Sequence, residues 1–403
     1  MLRLIRFVPA VALLLGIAYI QSQGYIQAQQ ESFAERSRRM STQAETRGLA
    51  DAFKGITTHG VIEPGLFPIR STGVSTEPVR KAAVSFLSAL TDEQRKKTKF
   101  PIDDVEWRKW MNQDFYIRQG VSFAQMTETQ RESAFSLMRA SLSARGLKLS
   151  QDIMKLNYTL GELNDNDFAR YGEWAYWISM MGEPSADKPW GWQMDGHHLI
   201  INYFVLGDQV VMSPVFIGSE PTVATSGKYK GTAVLQDEQR MGLKMIQTLS
   251  EPLQKKAILE SSKTRDYNLA EAFKDNIVLD YAGARAAEFP AAQKQQLLAL
   301  IKQYVDNMDD GHARVKMDEV RRHLDNTWFA WIGGTAEESV YYYRIQSPVV
   351  LIEFDHQLPV GLRHMVADPK LPYHEHIHAV VRTPNGNDYG KDLLRQHYLQ
   401  HPH

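Results

Sequence analysis

The spacing of apolar side chains predicts helices over much of the chain. In the segment 79–90, the residues at 83, 84, 86, 87 and 90 are apolar, a spacing typical of one helix face. Similar patterns predict further helices at 127–142, 236–248, 250–260, 268–275 and 290–308. At Thr91 and Thr127, a hydroxyl is followed three residues later by Gln, which is the pattern of a capping box. Helices are therefore expected to dominate up to about residue 180.

Other segments are too continuously apolar and too rich in β-branched and aromatic residues for surface helices. Residues 199–206 and 209–212 flank Gly207-Asp208, a pattern that predicts a buried β-hairpin. Three more strands are predicted at 339–346, 348–356 and 376–382. The expected fold class is α+β, with a mainly helical N-terminal half packed on an antiparallel sheet formed from a central hairpin and C-terminal strands. Residues 76–403 are expected to form this single domain.

The N-terminus has the pattern of a secretory signal peptide over residues 1–28. Arg3 and Arg6 precede a run without charged side chains at 7–20, which is short for a membrane span of roughly 20 residues. An uncleaved membrane anchor is the alternative, and only then would the protein contact a membrane. Residues 29–75 are expected to form a polar helical arm followed by an irregular segment. The sequence thus predicts a periplasmic or secreted protein.

Composition limits the chemistry that is available. The chain has 403 residues with 46 Lys and Arg, 47 Asp and Glu, 13 His and no Cys. Disulfides, thiolate nucleophiles and Cys-ligated metals are therefore excluded. The balanced charge argues against nucleic acid as a partner. Imidazole and carboxylate remain as the natural ligands for a metal.

The histidines concentrate in two places in the predicted sheet. His197 and His198 stand where the hairpin begins, and only one of them is expected to face a given site. His374, His376 and His378 alternate with other residues, so in a strand they share one face at steps of roughly 7 Å. Two such imidazoles can converge on zinc or copper. A hydrogen-bonded polar face is the alternative interpretation.

A second set of candidates ends the strand 348–356. Glu353 and Asp355 are expected on one face and His356 on the other. A carboxylate in such an apolar strand needs a partner, because burying it unpaired is costly. Glu353 or Asp355 is therefore a candidate general base, or a carboxylate that orients a metal-bound imidazole. His356 is expected near the other candidate ligands.

Substrate contacts are expected from the residues around these strands. Arg382 is a candidate catalytic and substrate-binding residue that would anchor an anionic group, and Asp388 could instead clamp it structurally. Tyr389, beside Asp388, is a further candidate for substrate binding. Trp190 and Trp192 lie in a predicted Pro/Gly-rich loop and are expected to line a cleft, although core packing is the usual role of Trp.

Several phrases of this sequence, taken together, resemble the secreted family catalogued as Domain of Unknown Function 3500. The resemblance extends over roughly residues 75–400 and rests on the segments 190–199, 213–221, 349–355, 376–384 and 387–390. It implies that this stretch is one unit and implies little about activity. The positions that match the family pattern are His197, His198, His376, His378, Arg382, Asp388 and Tyr389. His374 resembles a variable position and is discounted as a ligand.

These observations lead to one functional expectation and three alternatives. We expect a metal-dependent enzyme with a divalent transition metal, zinc or copper, held by His197, His198, His356, His376 and His378. Its reaction is expected to be hydrolytic, on a small or extended polar substrate. The alternatives are a copper oxidoreductase using the same histidines, a metal-free lyase or hydrolase with His and Glu as acid and base, and a non-catalytic protein that binds a metal or a solute.

Overall fold

Residues 32–401 are described by a computed structural model of the protein, which has an α+β fold. The predicted signal segment 1–28 lies outside the described residues. Within the described part there are ten helices, and all their bounds follow in chain order. They are α1 Phe33–Gly48, α2 Glu77–Ala89, α3 Asp92–Thr98, α4 Glu128–Ser141, α5 Ala144–Glu162, α6 Gln236–Thr248, α7 Glu251–Ala257, α8 Ala291–Val305, α9 Asp310–Arg322 and α10 Lys391–Gln400.

The strands of the described residues form one mixed, mostly antiparallel sheet of twelve. They are β1 Lys99–Phe100, β2 Val121–Ser122, β3 Tyr176–Met181, β4 Trp190–Gly196, β5 Leu199–Leu206, β6 Gln209–Ser219, β7 Ile258–Glu260, β8 Ala284–Arg285, β9 Trp328–Gly333, β10 Tyr341–Gln346, β11 Leu351–His356 and β12 Ile377–Arg382. Their order in space is β1-β3-β4-β5-β6-β12-β11-β10-β9-β7, with β2 beside β3 and β8 beside β9. Two pairs, β1–β3 and β7–β9, are parallel.

The pairing of β6 with β12 joins the central hairpin to the C-terminal strands. These two strands are antiparallel, and Gly218 lies opposite His378. Strand β12 also pairs with β11, where Asp355 lies opposite His378. The predicted antiparallel sheet from a central hairpin and C-terminal strands is therefore confirmed. The hairpin turn is Gly207-Asp208, as the sequence predicted.

The two faces of the sheet are covered differently. One face, which we call the helix face, bears Ile201, Ile217 and Ile352 and packs against helices such as α2, α4, α5 and α8. The opposite face, which we call the loop face, bears Ile200 and Phe216 and is covered mainly by irregular segments and by α10. Loop segments can present polar side chains to a site, so the loop face is the natural place for chemistry.

The segment 268–275, predicted as a helix, is irregular in the structure. The reason is that carboxylates of the sheet bind its backbone. Amides of Leu269 and Ala270 donate to Glu353 at 3.0 and 2.8 Å, so a carboxylate satisfies them in place of a carbonyl four residues earlier. Strands β3 and β9 and helix α9, by contrast, were not predicted. The helix predicted at 250–260 ends at Ala257, where β7 begins.

The N-terminal arm packs against the body of the protein. Helix α1 begins at a capping box in which Ser32 and Glu35 exchange hydrogen bonds. Ser41 accepts a hydrogen bond from the Ile117 amide at 3.0 Å, and Glu45 accepts one from the Tyr116 hydroxyl at 3.0 Å. In residues 32–401, no helix combines the length and the apolar character needed to cross a membrane.

The predicted capping boxes at Thr91 and Thr127 are both present. We therefore expect Thr127→Ala to lower the free energy of unfolding by about 1 kcal/mol, because the Gln130 amide loses its side-chain acceptor. The control is Thr129→Ala, an exposed residue two positions into the same helix. Urea unfolding followed by circular dichroism measures both. Equal losses for the two variants would contradict a capping role for Thr127.

Candidate metal centre

Three strands bring the candidate histidines together on the loop face. His378 lies in β12, His376 directly precedes this strand, and His198 lies in the turn between β4 and β5. The His198 carbonyl accepts a hydrogen bond from the Gly218 amide at 2.8 Å, which fixes the turn against β6. His198 and His378 therefore flank Gly218 from opposite sides, although they are 180 positions apart in the chain.

The three imidazoles converge through their Nε2 atoms. The Nε2 atoms of His376 and His378 are 3.1 Å apart, and those of His376 and His198 are 3.3 Å apart. One ring nitrogen from each residue lies within 4.8 Å of the other two. All three side chains are buried. Among the described residues, this buried group could hold a metal ion.

The partners of the remaining nitrogens determine the tautomers of two of these rings. The Nδ1 of His376 lies 2.6 Å from the Leu358 carbonyl, and the Nδ1 of His378 lies 2.8 Å from Glu271 Oε1. Carbonyls and ionised carboxylates only accept hydrogen bonds, so each Nδ1 must donate. In the neutral rings both Nε2 atoms then carry lone pairs that face each other at 3.1 Å. Such a contact is favourable only with a cation or a proton between them.

Burial disfavours the protonation of His198 and His376. It lowers the pKa of His198 well below its ordinary value, and the neighbouring imidazoles lower it further. Burial also lowers the pKa of His376, against the opposing effect of Glu220. For Glu271, burial alone would raise the pKa, but His378 and Asn268 hold it below its ordinary value. His198 and His376 are thus disposed to be neutral, as metal binding requires, and a carboxylate lies behind His378.

The distances also fit a transition metal. Nitrogens bound to zinc at 2.0–2.1 Å with tetrahedral angles are about 3.3 Å apart. The two measured separations, 3.1 and 3.3 Å, match this value. The hydrogen bonds from Nδ1 to Leu358 and Glu271 are of the kind that orients metal-bound histidines elsewhere.

Two local features allow the rings to meet. His198 has a φ of 63°, in the left-handed region that side chains other than glycine seldom adopt. This conformation turns its side chain towards β12. Gly218 leaves the space between the rings open, because a Cβ there would lie 3.1 Å from His198 Cδ2, 3.2 Å from His378 Cδ2 and 2.7 Å from the Ile377 carbonyl oxygen.

A cavity of about 210 Å³ adjoins the three histidines. Its walls include four carboxylates, those of Asp114, Glu220, Asp266 and Glu271, and the amide side chains of Asn112, Gln113, Asn268 and Gln357. In the part of the chain that the structure describes, no Lys or Arg lines it. The group of histidines is therefore accessible from a polar cavity of acidic character.

His197 lines the cavity but lies outside the group of three. Its Nδ1 is 2.7 Å from Asn157 Oδ1, and its ring stacks on His198 with 3.9 Å between the ring centres. Burial lowers the pKa of His197 to about 3. Of the two adjacent histidines, His198 is the one that turns to His376 and His378, and His197 supports it by stacking.

The structure does not bring His356 to the other histidines. In the register of β11 with β12, His356 lies opposite Ile377 and thus on the helix face, whereas Asp355 lies opposite His378. Its Nε2 is 2.6 Å from Gln239 Oε1, and its Nδ1 accepts from the Tyr341 amide at 2.9 Å. The expectation that His356 is a ligand is corrected, because the alternation of side chains places it on the wrong face.

Glu353 and Asp355 are on the loop face, as expected, but they hold a loop and do not line the cavity. Glu353 binds two amides of the segment 261–276 and accepts from the Tyr342 hydroxyl at 2.6 Å. Asp355 pairs with Lys263 at 2.8 Å and accepts from the Tyr267 amide at 2.6 Å. Both carboxylates are fully buried. Their role as general base is therefore corrected to that of anchors for the segment that carries Asp266 and Glu271.

Arg382 and its neighbours are corrected in the same way. The guanidinium is fully buried and pairs with Asp275 at 2.8 Å and with Asp388 at 3.1 Å. It also donates to the carbonyls of Ala270 and Glu271 at 3.0 and 3.1 Å. Four of its five N–H donors point at protein acceptors and the side chain is fully buried, so it is not placed to anchor an anionic substrate.

Tyr389 is likewise buried, and its hydroxyl donates to Asp275 at 2.9 Å while accepting from Trp110 at 2.8 Å. The four residues Arg382, Asp275, Asp388 and Tyr389 form a closed clamp. Asp388 and Tyr389 are therefore not substrate contacts. Asp388 clamps Arg382, as the alternative interpretation expected, and Tyr389 belongs to the same clamp.

Trp190 and Trp192 are part of β4 and not of a loop. Both side chains are fully buried in the core on the helix face. Their indole nitrogens donate to the Ser185 carbonyl at 2.9 Å and to the Ser141 hydroxyl at 3.2 Å. The expectation that they line a cleft is corrected. The strand starts at Trp190 because the Pro/Gly-rich part of the segment ends immediately before it.

The cavity also contains residues that the sequence did not single out. Glu271 falls in a segment that was expected to be helical, and no motif marks it. Glu220 follows directly on β6, where a carboxylate between a strand and Pro221 is a weak signal. It accepts hydrogen bonds from the amides of Val360 and Gly361 at 3.0 and 2.6 Å, and so holds the opposite wall of the cavity.

Residues 72–391 match the family described as "Protein of unknown function (DUF3500)". The chain belongs to this family. The predicted resemblance is thereby confirmed over nearly the whole expected stretch. No curated protein and no solved structure matches the chain. The family carries no assigned activity, so the function has to be argued from the site.

The clamp around Arg382 yields a prediction about stability. Arg382→Met should lower the free energy of unfolding by about 3–5 kcal/mol, because it leaves Asp388 buried without its cation and leaves Asp275 with Arg108 alone. Arg395→Met is the matched control, since that guanidinium is exposed and pairs with Asp392 on the surface. Urea unfolding compares the two variants. A well-folded Arg382→Met protein that is as stable as the control would show that the clamp is not structural.

Proposed function

We propose that this protein is a metal-dependent hydrolase with a three-histidine centre formed by His198, His376 and His378. The observation that carries the proposal is the approach of two Nε2 lone pairs to 3.1 Å, with His198 Nε2 3.3 Å from one of them. A divalent cation relieves this contact, and burial lowers the pKa of the His376 imidazole and so opposes a proton on that ring. The ligand set contains no sulfur and only neutral nitrogens, which suits zinc or copper. We favour zinc, because three imidazoles with an open position are typical of catalytic zinc sites.

The chemistry follows from three ligands and an adjoining cavity. A zinc ion held by three protein ligands lowers the pKa of bound water towards neutrality, which supports hydrolysis. The carboxylates in the cavity wall are placed to accept a proton. Asp266 is the least engaged of them among the described residues, where it accepts a hydrogen bond from the Leu358 amide at 2.8 Å. Glu220, by comparison, accepts from three amides and from the Tyr373 hydroxyl.

We further propose that the protein acts outside the cytoplasm, in the periplasm or after secretion. This rests on the sequence of residues 1–28 alone, where a basic start precedes an uncharged run. The absence of Cys is compatible with an oxidising compartment. Cell fractionation of the native protein tests this separately from the metal site.

Elemental analysis of the purified native protein tests the metal centre. We expect near-stoichiometric zinc in the wild type and its loss in His376→Ala and in His378→Ala, because each removes one nitrogen of three. The control is His364→Ala, an exposed histidine that lies outside the group. Copper in place of zinc would favour the oxidoreductase alternative. A wild type without transition metal, whose thermal stability does not respond to added zinc or copper, would refute the proposal.

Glu271 provides a test that leaves all three ligands in place. Glu271→Gln should weaken metal binding by about 10–100-fold, because the His378 ring loses the charged acceptor that fixes its tautomer. Glu132→Gln, on the exposed surface of α4, is the control. Competition with a chromogenic chelator measures the affinities. If the two variants bind zinc equally tightly, Glu271 has no role in orienting the ligand.

A further inference from the structure

We propose that the cavity beside the three histidines binds a small, neutral, hydroxyl-rich ligand, such as a sugar ring or a polyol. This inference rests on the proposed function in one respect, since the ligand would be the substrate of the same centre. Its main support is separate, because it comes from the side chains of the cavity wall and not from the histidines.

The charge of the wall disfavours an anionic ligand. Asp114, Glu220 and Glu271 are carboxylates of the cavity wall, and in the described part of the chain no Lys or Arg lines the cavity. With Asp266 they bring four negative charges. A divalent cation and the guanidinium of Arg170, which pairs with Asp114, bring three positive charges. The cavity thus remains slightly negative even with a metal bound.

The charge does not favour a cationic ligand strongly either, because these carboxylates already have partners. Glu271 accepts from His378 and from the Asn268 side chain at 2.7 Å. Glu220 accepts from backbone amides of the segment 360–362. What the wall retains is hydrogen-bonding capacity without a strong excess of charge, and this combination suits a neutral polar ligand.

Two side-chain amides supply that capacity. Asn112 and Gln113 line the cavity, and in the described part of the chain Asn112 Oδ1 and Gln113 Oε1 are buried without a hydrogen-bond partner. A half-turn of an amide exchanges its oxygen and its NH₂ group, so each can present either an acceptor or a donor. A hydroxyl is likewise both donor and acceptor. Unpaired buried amides are costly, so a ligand that pairs with them gains affinity.

The shape of the cavity limits the size of the ligand. Its volume of about 210 Å³ is below the range of roughly 300–1,000 Å³ that is typical of sites for drug-sized ligands. Leu160, Val360 and the ring of Tyr171 give it an apolar wall. A sugar ring offers a C–H face to such a wall and hydroxyls to the amides. The site therefore fits one ring or a short polyol.

Binding to the metal-loaded full chain tests the inference. The probes are neutral compounds (glucose, galactose, mannose, N-acetylglucosamine and sorbitol) with the charged counterparts glucuronate, galacturonate and glucosamine. Saturation-transfer NMR detects weak binding, and calorimetry ranks the affinities. We expect at least one neutral probe to bind, and its uronate to bind at least about tenfold more weakly because like charges meet in the cavity. Tighter binding of a uronate, or no binding by any neutral probe, would overturn the inference.

A variant pair localises the binding. Asn112→Leu and Gln113→Leu should each weaken binding of the neutral probe about three- to tenfold, with metal content unchanged. Asn326→Leu, at an exposed position away from the cavity, is the control. Unchanged affinity in both cavity variants would overturn the placement. If the wild type holds no transition metal and does not respond to added zinc or copper but still binds a sugar, the metal centre is refuted and this inference stands. If it holds a metal and binds no neutral probe, this inference fails and the metal centre stands.

Discussion

The need to satisfy buried charges on one sheet face determines the shape of the site. Glu353, Asp355 and Arg382 are fully buried on the loop face, where water cannot reach them. They are satisfied largely by the segment 261–276, whose amides meet the carboxylates and whose carbonyls meet the guanidinium. A backbone held in this way cannot close the hydrogen bonds of a helix. It stays irregular, and its side chain Glu271 reaches His378.

Charged residues within the strands and charged residues on the connecting segments therefore have different roles. The carboxylates inside β11 are fully buried and accept hydrogen bonds from backbone amides, so they position other residues. Carboxylates on the connecting segments, such as Asp266 and Glu220, reach the cavity. The three histidines lie at the boundary, because they lie in or directly before β12 or occupy the turn before β5. Groups at the ends of strands can be fixed by the sheet and still face an open space, which is what a binding site requires.

The sequence predicts which side chains share a face of a strand, but it does not predict which strands pair with each other. The alternation of side chains correctly predicted that His376 and His378 share one face of the sheet. It also predicted that His356 and Asp355 point to different faces. It could not show that β12 pairs with both β6 and β11, and this pairing decides which face meets His198. Local patterns also failed where tertiary contacts override propensity. The segment 268–275 reads as helical until the sheet carboxylates are considered, and the loop expected around Trp190 and Trp192 is a central strand.

The buried group of histidines also links metal binding to stability. Without a cation, the protein must enclose two nitrogens whose lone pairs face each other at 3.1 Å, beside a carboxylate held in its charged form. Those arrangements cost free energy that folding elsewhere has to offset. A cation bound only by the folded chain would remove this cost, and it would stabilise the folded state in proportion to the logarithm of its concentration over its dissociation constant. A metal held by the proposed centre would therefore contribute to the stability of the fold as well as to the chemistry of the site.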